Sequence, residues 1–537
     1  MTHTATSEPA SARDDILAGR TCLGIEFGST RIKACLVGSD PADVIATGSH
    51  AWENRFEDRR WTYALDDVWS GVQAAYADLV AAVADRYGVV PETVGAIGVS
   101  AMMHGYLAFD ADDELLVPFR TWRNTSTGPA AAELSDLLGI NIPMRWSIAH
   151  LHQAVLDDEP HVADIHHVTT LAGYVHARLT GERVLGVGDA SGMFPIDPVT
   201  RDYDQRRVGL YDDHVAGRLP TGLRALLPEV RVAGQVAGSL TEAGARLLDP
   251  TGRLRAGAPF CPPEGDAGTG MVATAAVAPR SGNVSAGTSI FAMVVLERPL
   301  ESMHHEIDVV TTPAGDLVAM VHCNNGASEL AAWVGMFERF ASLSGAALSA
   351  DAVYDLLFRE ALAGEPDAGG LLAYNHLAGE PITGTDEGRP LFVRTPDSRL
   401  TLGNAIRAQL YGVFGTLALG MRVLDGEGVE LDRMFAHGGM FRTAGVAQRF
   451  LAAALGAPVA VGETASEGGA WGIAVLADYL AHSADLDLDA YLRERVFAAA
   501  SADVAEPDPA DVAGFATYLE RYDAGLAVER AAVTALS

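Results

Sequence analysis

The chain has 537 residues, 49% of them apolar and 20% charged, with a formal net charge of −32. That length exceeds what one hydrophobic core serves and predicts two large domains. The acidic balance excludes nucleic-acid binding, which needs a basic footprint. No run of about 18 apolar residues free of charge or turn signals marks a membrane span.

The first twenty residues are polar and mixed in charge, lack the apolar core of a signal peptide, and read as a disordered tail. Four cysteines (Cys22, Cys35, Cys261, Cys323) show no paired or metal-ligand spacing, as expected of reduced thiols in a cytoplasm. The negative field repels anions at long range, so a neutral ligand, or a nucleotide arriving as its magnesium complex, fits better than a bare anion. The excess acid serves solubility equally well.

In chain order, CLGIEF and IKACLV read as a hairpin around Gly28-Ser29-Thr30. Residues 66–88 follow with Val68, Val72, Tyr76, Leu79, Val80 and Val83 on one helical face, Asp66 or Asp67 as cap and Gly88 as stop. Val94–Val99 reads as a buried strand, and strands alternating with helices predict an α/β architecture. The pattern restarts after Ala278-Pro279-Arg280: GNVSAGTSIFAMVVL is a second glycine-turn strand pair, and residues 402–424 carry an apolar stripe from Leu402 to Leu424. A boundary near residue 280 and two halves that open alike suggest a duplicated core.

Three segments carry chemistry. In Gly24–Lys33 a tight glycine turn brings backbone N–H groups close to an anion, with hydroxyls from Ser29 and Thr30 beside them. Glu26, just before the turn, could hold hydrated magnesium. Val284–Ser289 repeats the logic. An ordinary hairpin accounts for either alone, and neither has Walker or dinucleotide spacing. In Pro263–Gly270, Asp266 sits among small residues. It suits a carboxylate that orients a hydroxyl and takes its proton during phosphoryl transfer, or one that caps a helix, or both.

With these motifs in order, the sequence from about residue 21 to about 485 resembles the FGGY carbohydrate kinases of the actin–hexokinase–Hsp70 superfamily, and within them xylulokinases. Ser100–Gly105 is similar to the family's sugar-site segment, and Trp122-Arg123-Asn124 to the element that follows it. Gly188–Gly192 resembles the segment before the domain junction. Ala436–Met440 resembles the adenosine segment, and Glu467–Gly472 the element after it.

The resemblance implies two ribonuclease H-like (actin-like ATPase) α/β domains with an interdomain cleft. Residues 21–280 would bind sugar, 281–485 would bind ATP, and 486–537 would form a helical extension. It implies Asp266 as catalytic base and Met103, His104, Gly105, Trp122, Asn124 and Asp266 as substrate-binding residues. ATP would be held by Gly28, Ser29, Thr30, Lys33, Gly287, Thr288, Ser289, Gly438, Gly439 and Met440, with Mg2+ at Glu26. A cytoplasmic enzyme, with a homodimer as one expected state, completes the reading.

Four departures bear on the substrate. Glu26 replaces the usual aspartate, and Met102 replaces a polar residue. Asn124-Thr125-Ser126-Thr127 lacks the arginine that often follows, and Met440-Phe441 replace small residues. Xylulose therefore stands beside ribulose, gluconate, glycerol or another polyol. A non-kinase ATPase of the superfamily and a sugar-binding regulator without catalysis remain as rivals. By itself His104 reads as a satisfied core histidine. His150, His152, His166 and His167 form no metal-ligand pattern, and Asp110–Glu114 reads as a solvated turn.

Overall fold

A computed structural model describes residues 9–462, 468–500 and 502–536. The chain divides into two compact units. The first is Met1–Val277 with Val309–Val318 and Thr464–Ala499; the second is Ala278–Asp308 with Ala319–Glu463 and Ala500–Ser537.

The sheet of the first unit is built from β1 (Cys22–Phe27), β2 (Arg31–Val37), β3 (Val44–Ala51), β4 (Ala96–Ala101) and β5 (Glu264–Gly265), in the order β5-β4-β1-β2-β3. The predicted hairpin forms, with Cys22 opposite Val37 and Phe27 opposite Ile32. β4 joins β1 in parallel, and β5 joins β4 in parallel. β4 is buried along its whole length, as a strand in the interior of a sheet should be. The helix Leu65–Tyr87 buries Val68, Val72, Leu79 and Val83 in one core with Ile25, Phe27 and Ile32 of the sheet. Its start differs from the expected cap: Ala64 stands at the N-cap, while Asp66 and Asp67 lie in the first turn, where they still favour the positive helix end. Gly88 ends it in the left-handed conformation, at φ 69°.

The second unit repeats this plan. The seven-stranded sheet there comprises β6 (Ser281–Ala286), β7 (Ile290–Val295), β8 (Ile307–Thr311), β9 (Leu317–Cys323), β10 (Arg433–His437), β11 (Val459–Gly462) and β12 (Ala502–Ala505), ordered β8-β9-β7-β6-β10-β11-β12. The run β11-β10-β6-β7-β9 matches β5-β4-β1-β2-β3 position for position. In both, an antiparallel hairpin is extended on one side by parallel strands. The helix Leu402–Gly426 buries most of its residues, including Ile406, Leu410, Val413, Leu417, Met421 and Leu424 of the predicted stripe.

Two terminal segments differ from the sequence reading. Residues 9–18 form a helix rather than a polar tail. Ala12 and Ile16 are buried, and Asp15 accepts hydrogen bonds from the Ser39 backbone, the Ser39 hydroxyl and Arg20. The tail reading undervalued two apolar residues four apart. After residue 485 the chain is not a purely helical extension, because β12 pairs antiparallel with β11 before the helix Pro509–Ala535 begins.

That last helix is tied down by charge. The Arg407 guanidinium, almost fully buried, lies 4.6 Å from the centroid of the Phe450 ring and 3.2 Å from Asp511 Oδ1; Arg449 Nε donates to Asp511 Oδ2 at 2.5 Å. Removing one partner of a buried pair leaves an uncompensated charge. Asp511→Ala should therefore destabilise the second unit by about 3–5 kcal/mol, read as an earlier transition in urea unfolding.

Candidate active site

The first unit gathers most of the expected substrate residues around one turn. β4 ends at Ala101, and the chain turns sharply through His104 and Gly105, which take φ values of 68° and 86°. A histidine in the left-handed region is uncommon, and the surroundings hold it there. The His104 ring is buried, its Nδ1 is 3.2 Å from the Gly192 carbonyl oxygen, and it stacks on Trp146 with ring centroids 6.4 Å apart.

Asp266 meets the same turn. The helix Asp266–Ala273 begins with it, Gly265 being the N-cap, so Asp266 lies inside the helix start rather than at the cap. Its Oδ1 accepts the Met103 N–H at 3.2 Å. The carboxyl is reachable by solvent on the molecular surface yet closely surrounded by protein. That crowding desolvates the carboxylate and, against the pull of the Met103 N–H and with help from the negative Glu26, raises its pKa to about 6.

Two further carboxyl groups lie beneath and received no role from sequence. Glu264 is buried; its two oxygens accept the N–H groups of Gly188 and Asp189 at 3.3 and 3.0 Å. A Cβ at Gly188 would lie 2.4 Å from Glu264 Oε2, so this backbone approach requires glycine. Asp189, also buried, accepts from the Thr170 hydroxyl at 2.6 Å, and its Oδ1 has no hydrogen-bond partner among the described residues. Burial raises Glu264 well above the ordinary carboxyl range, with Asp189 adding to it. Burial likewise raises Asp189 to about 7, with Asp266 contributing. A glutamate two residues before Asp266 at the end of an apolar run was the available signal for a buried acid.

Glu26 and Lys33 lie directly opposite each other on β1 and β2, with Lys33 Nζ 3.6 Å from Glu26 Oε2. The backbone N–H groups of Gly469 and Ala470, at the start of the helix Gly468–Tyr479, also reach the Glu26 carboxylate. Burial nevertheless dominates and raises its pKa. Oε2 is buried without a hydrogen-bond partner among the described residues. One oxygen is thus engaged by backbone and the other faces only the Lys33 ammonium at ion-pair distance, a donor that fits a hydrated magnesium ion once Lys33 turns to another anion. Glu467 of the adjoining motif lies outside the described residues.

The two glycine turns are held alike. In the first, the carbonyls of Gly28 and Thr30 accept from Trp52, and the Ser29 carbonyl accepts from the Tyr63 hydroxyl. In the second unit, the carbonyls of Gly287 and Thr288 accept the N–H groups of Ala327 and Gly326. Ser29, Thr30 and Thr288 are exposed. The Gly28 and Gly287 N–H groups are spent within their turns on the Arg31 and Ser289 carbonyls, which leaves the exposed Ser29, Thr30 and Thr288 to meet an anion. Behind the second turn, buried Asn325 and Asn375 bond the neighbouring backbone and the buried Glu380. Gly438, at φ 117°, lies beside Ala286: a Cβ there would be 2.1 Å from the Ala286 carbonyl oxygen. Gly439 is open, while Met440 and Phe441 are buried.

The remaining expected residues divide. Trp122 is partly exposed, 38% by area, and presents a face to solvent. Asn124 is buried, and its side chain is consumed by the Trp61 N–H, the Trp61 carbonyl and the Thr121 carbonyl at 2.8 to 3.0 Å. The Asn124 amide is thus committed to bracing Trp61 against the Thr121 turn. His104 is buried, as the structural reading expected, and also sits one residue from the Asp266 anchor.

Two family models match the chain: the N-terminal domain of the FGGY family of carbohydrate kinases over residues 21–251, and its C-terminal domain over 282–481. A xylulose kinase from Streptomyces coelicolor is 24% identical over 240 residues, 42% of this chain and 45% of that protein, so the match spans under half the relative's length. Among solved structures, xylulose kinase from Rhodospirillum rubrum superposes with TM-score 0.75 at 21% identity, covering 95% of this chain and 99% of that one. Gluconate kinase from Lactobacillus acidophilus gives 0.74 at 18%, covering 95% and 98%. The chain belongs to the FGGY family of carbohydrate kinases, enzymes that transfer a phosphoryl group to an alcohol.

Proposed function

We propose that the chain is an ATP-dependent kinase for a ketose or a related polyol, of the xylulose kinase type, with Asp266 as its catalytic base. The observation that carries this is the 3.2 Å bond from the Met103 N–H to Asp266 Oδ1, which joins the base to the Met103-His104-Gly105 turn. A hydroxyl resting against that turn, with Trp122 as an apolar face, would have a carboxylate beside it. Asp266 would take the hydroxyl proton as the new O–P bond forms and the bond to the departing ADP breaks. A pKa of about 6 keeps it ionised, and still an effective proton acceptor, at neutral pH.

We assign the adenosine to Gly438, Gly439 and Met440. The phosphates go to the Gly287–Ser289 and Gly28–Thr30 turns, through the groups these leave exposed, with Lys33 as a cationic donor. Glu26 Oε2 would hold magnesium, whose charge would offset the phosphates against the protein's own negative field. A cytoplasmic setting supplies ATP and suits four buried cysteines that form no disulfide.

The relatives include enzymes named for xylulose and for gluconate, so the fold is compatible with more than one acceptor. ADP release measured over ketoses, alditols, aldonates and glycerol separates these acceptors. Turnover indifferent to every acceptor would instead favour a non-kinase ATPase.

Asp266→Asn keeps an acceptor for the Met103 N–H and should fold normally, while kcat falls by about 10²–10⁴-fold. Turnover near that of the parent would remove Asp266 from the role. The raised carboxyl is protonated below its pKa and inactive there. The parent kcat/KM should therefore fall about tenfold per pH unit below about pH 6 and level off above it, in a profile taken at saturating magnesium.

A further inference from the structure

We infer that Glu133, His152 and His214 in the first unit form a binding site for a divalent transition metal of the zinc class. The residues come from three helices, Gly128–Leu138, Ser147–Leu156 and Gln205–His214, and are far apart in sequence. One ligand atom from each falls within a 4.8 Å group. Two imidazoles and one carboxylate are the donor types that bind zinc in three-ligand sites, leaving a fourth position for water.

His152 makes the case stronger than proximity alone. It is 1% exposed, yet neither ring nitrogen has a hydrogen-bond partner among the described residues. A buried imidazole whose nearest polar partner is one carboxylate at ion-pair distance is under-satisfied and leaves room for an occupant. Its Nε2 points at the cluster, 3.5 Å from Glu133 Oε1. Ligands about 2.1 Å from a tetrahedral ion stand about 3.4 Å apart, so this pair already has the required spacing.

His214 Nε2 and Glu133 Oε1 are 2.6 Å apart, a hydrogen-bond length. The metal would replace the proton they share, and the pair would widen by under an ångström. Both side chains are over a third exposed or close to it, so they have room to turn. The nearby cation is neutralised: Arg218 pairs with Asp158 at 2.6 Å. A bound ion would pin the end of the Gln205–His214 helix to the two helices beside it.

The test uses the full chain, stripped with a chelator and kept in millimolar Mg2+ so that all-oxygen sites are filled. Imidazole donors favour the zinc class over magnesium. Zn2+ is titrated by calorimetry, Co2+ by visible absorption, and unfolding is followed by heating. One saturable equivalent is expected, with intense tetrahedral Co2+ bands and a thermal midpoint raised by a few degrees. His214→Ala, at a partly exposed helix end, should fold with the midpoint of the metal-free parent, lose the Co2+ bands and bind Zn2+ at least about tenfold more weakly. Glu133→Gln should weaken binding likewise. Parent affinity and spectrum retained in His214→Ala, or no saturable Zn2+ binding by the parent, would overturn the assignment.

Discussion

Water does not reach Glu264 or Asp189, and much of the first unit's site follows from how these two carboxyl groups are satisfied. An ionised carboxylate taken from water loses several kcal/mol of solvation unless charge or hydrogen bonds replace it. Glu264 meets that demand only in part, with two backbone N–H groups of the Gly188–Asp189 segment, which wraps closely because residue 188 has no side chain, and its proton affinity stays well above the ordinary carboxyl range. Asp189 is then held against Thr170, and the nearby Asp266 adds to the rise in its proton affinity that burial causes. Asp266 above them keeps a high proton affinity through its own crowding, with Glu26 adding to it, while its helix and the Met103 N–H fix its direction.

Both glycine turns solve one problem by the same means. A short turn presents N–H groups to an anion only if its carbonyls are drawn the other way. Aromatic donors do this in the first unit: the indole of Trp52 and the phenol of Tyr63, stacked 4.2 Å apart. Backbone donors at Gly326 and Ala327 do it in the second, braced by buried asparagines. The chemistry is conserved between the halves although the residues that enforce it are unrelated.

The hairpins, the long helices and the unit plan were legible because each is written as a local period: alternating burial, a stripe at helical spacing, a glycine at a turn. Asp266 was legible as a carboxylate among small residues. What escaped was everything set by distant partners. Asn124 matched a substrate motif, but its amide is spent on Trp61, more than sixty positions away in sequence. The Pro9–Ala18 helix looked like a polar tail because its anchor, Asp15, finds Ser39 only in the fold. Glu133, His152 and His214 share no spacing that a linear scan could weigh.

The matched strand order of the two units also says where change has been tolerated. In the first, the crossover from β4 to β5 spans residues 102–263; the equivalent crossover in the second, from β10 to β11, spans only 438–458. Every side chain here assigned to the acceptor, other than Asp266 itself, lies in the long crossover, along with the histidine cluster. On that assignment, the choice of alcohol can be remodelled by editing one crossover, leaving untouched the two hairpins proposed to hold the phosphates. The alcohol and the phosphates would then be met by largely separate stretches of chain, which gives such a scaffold room to diversify.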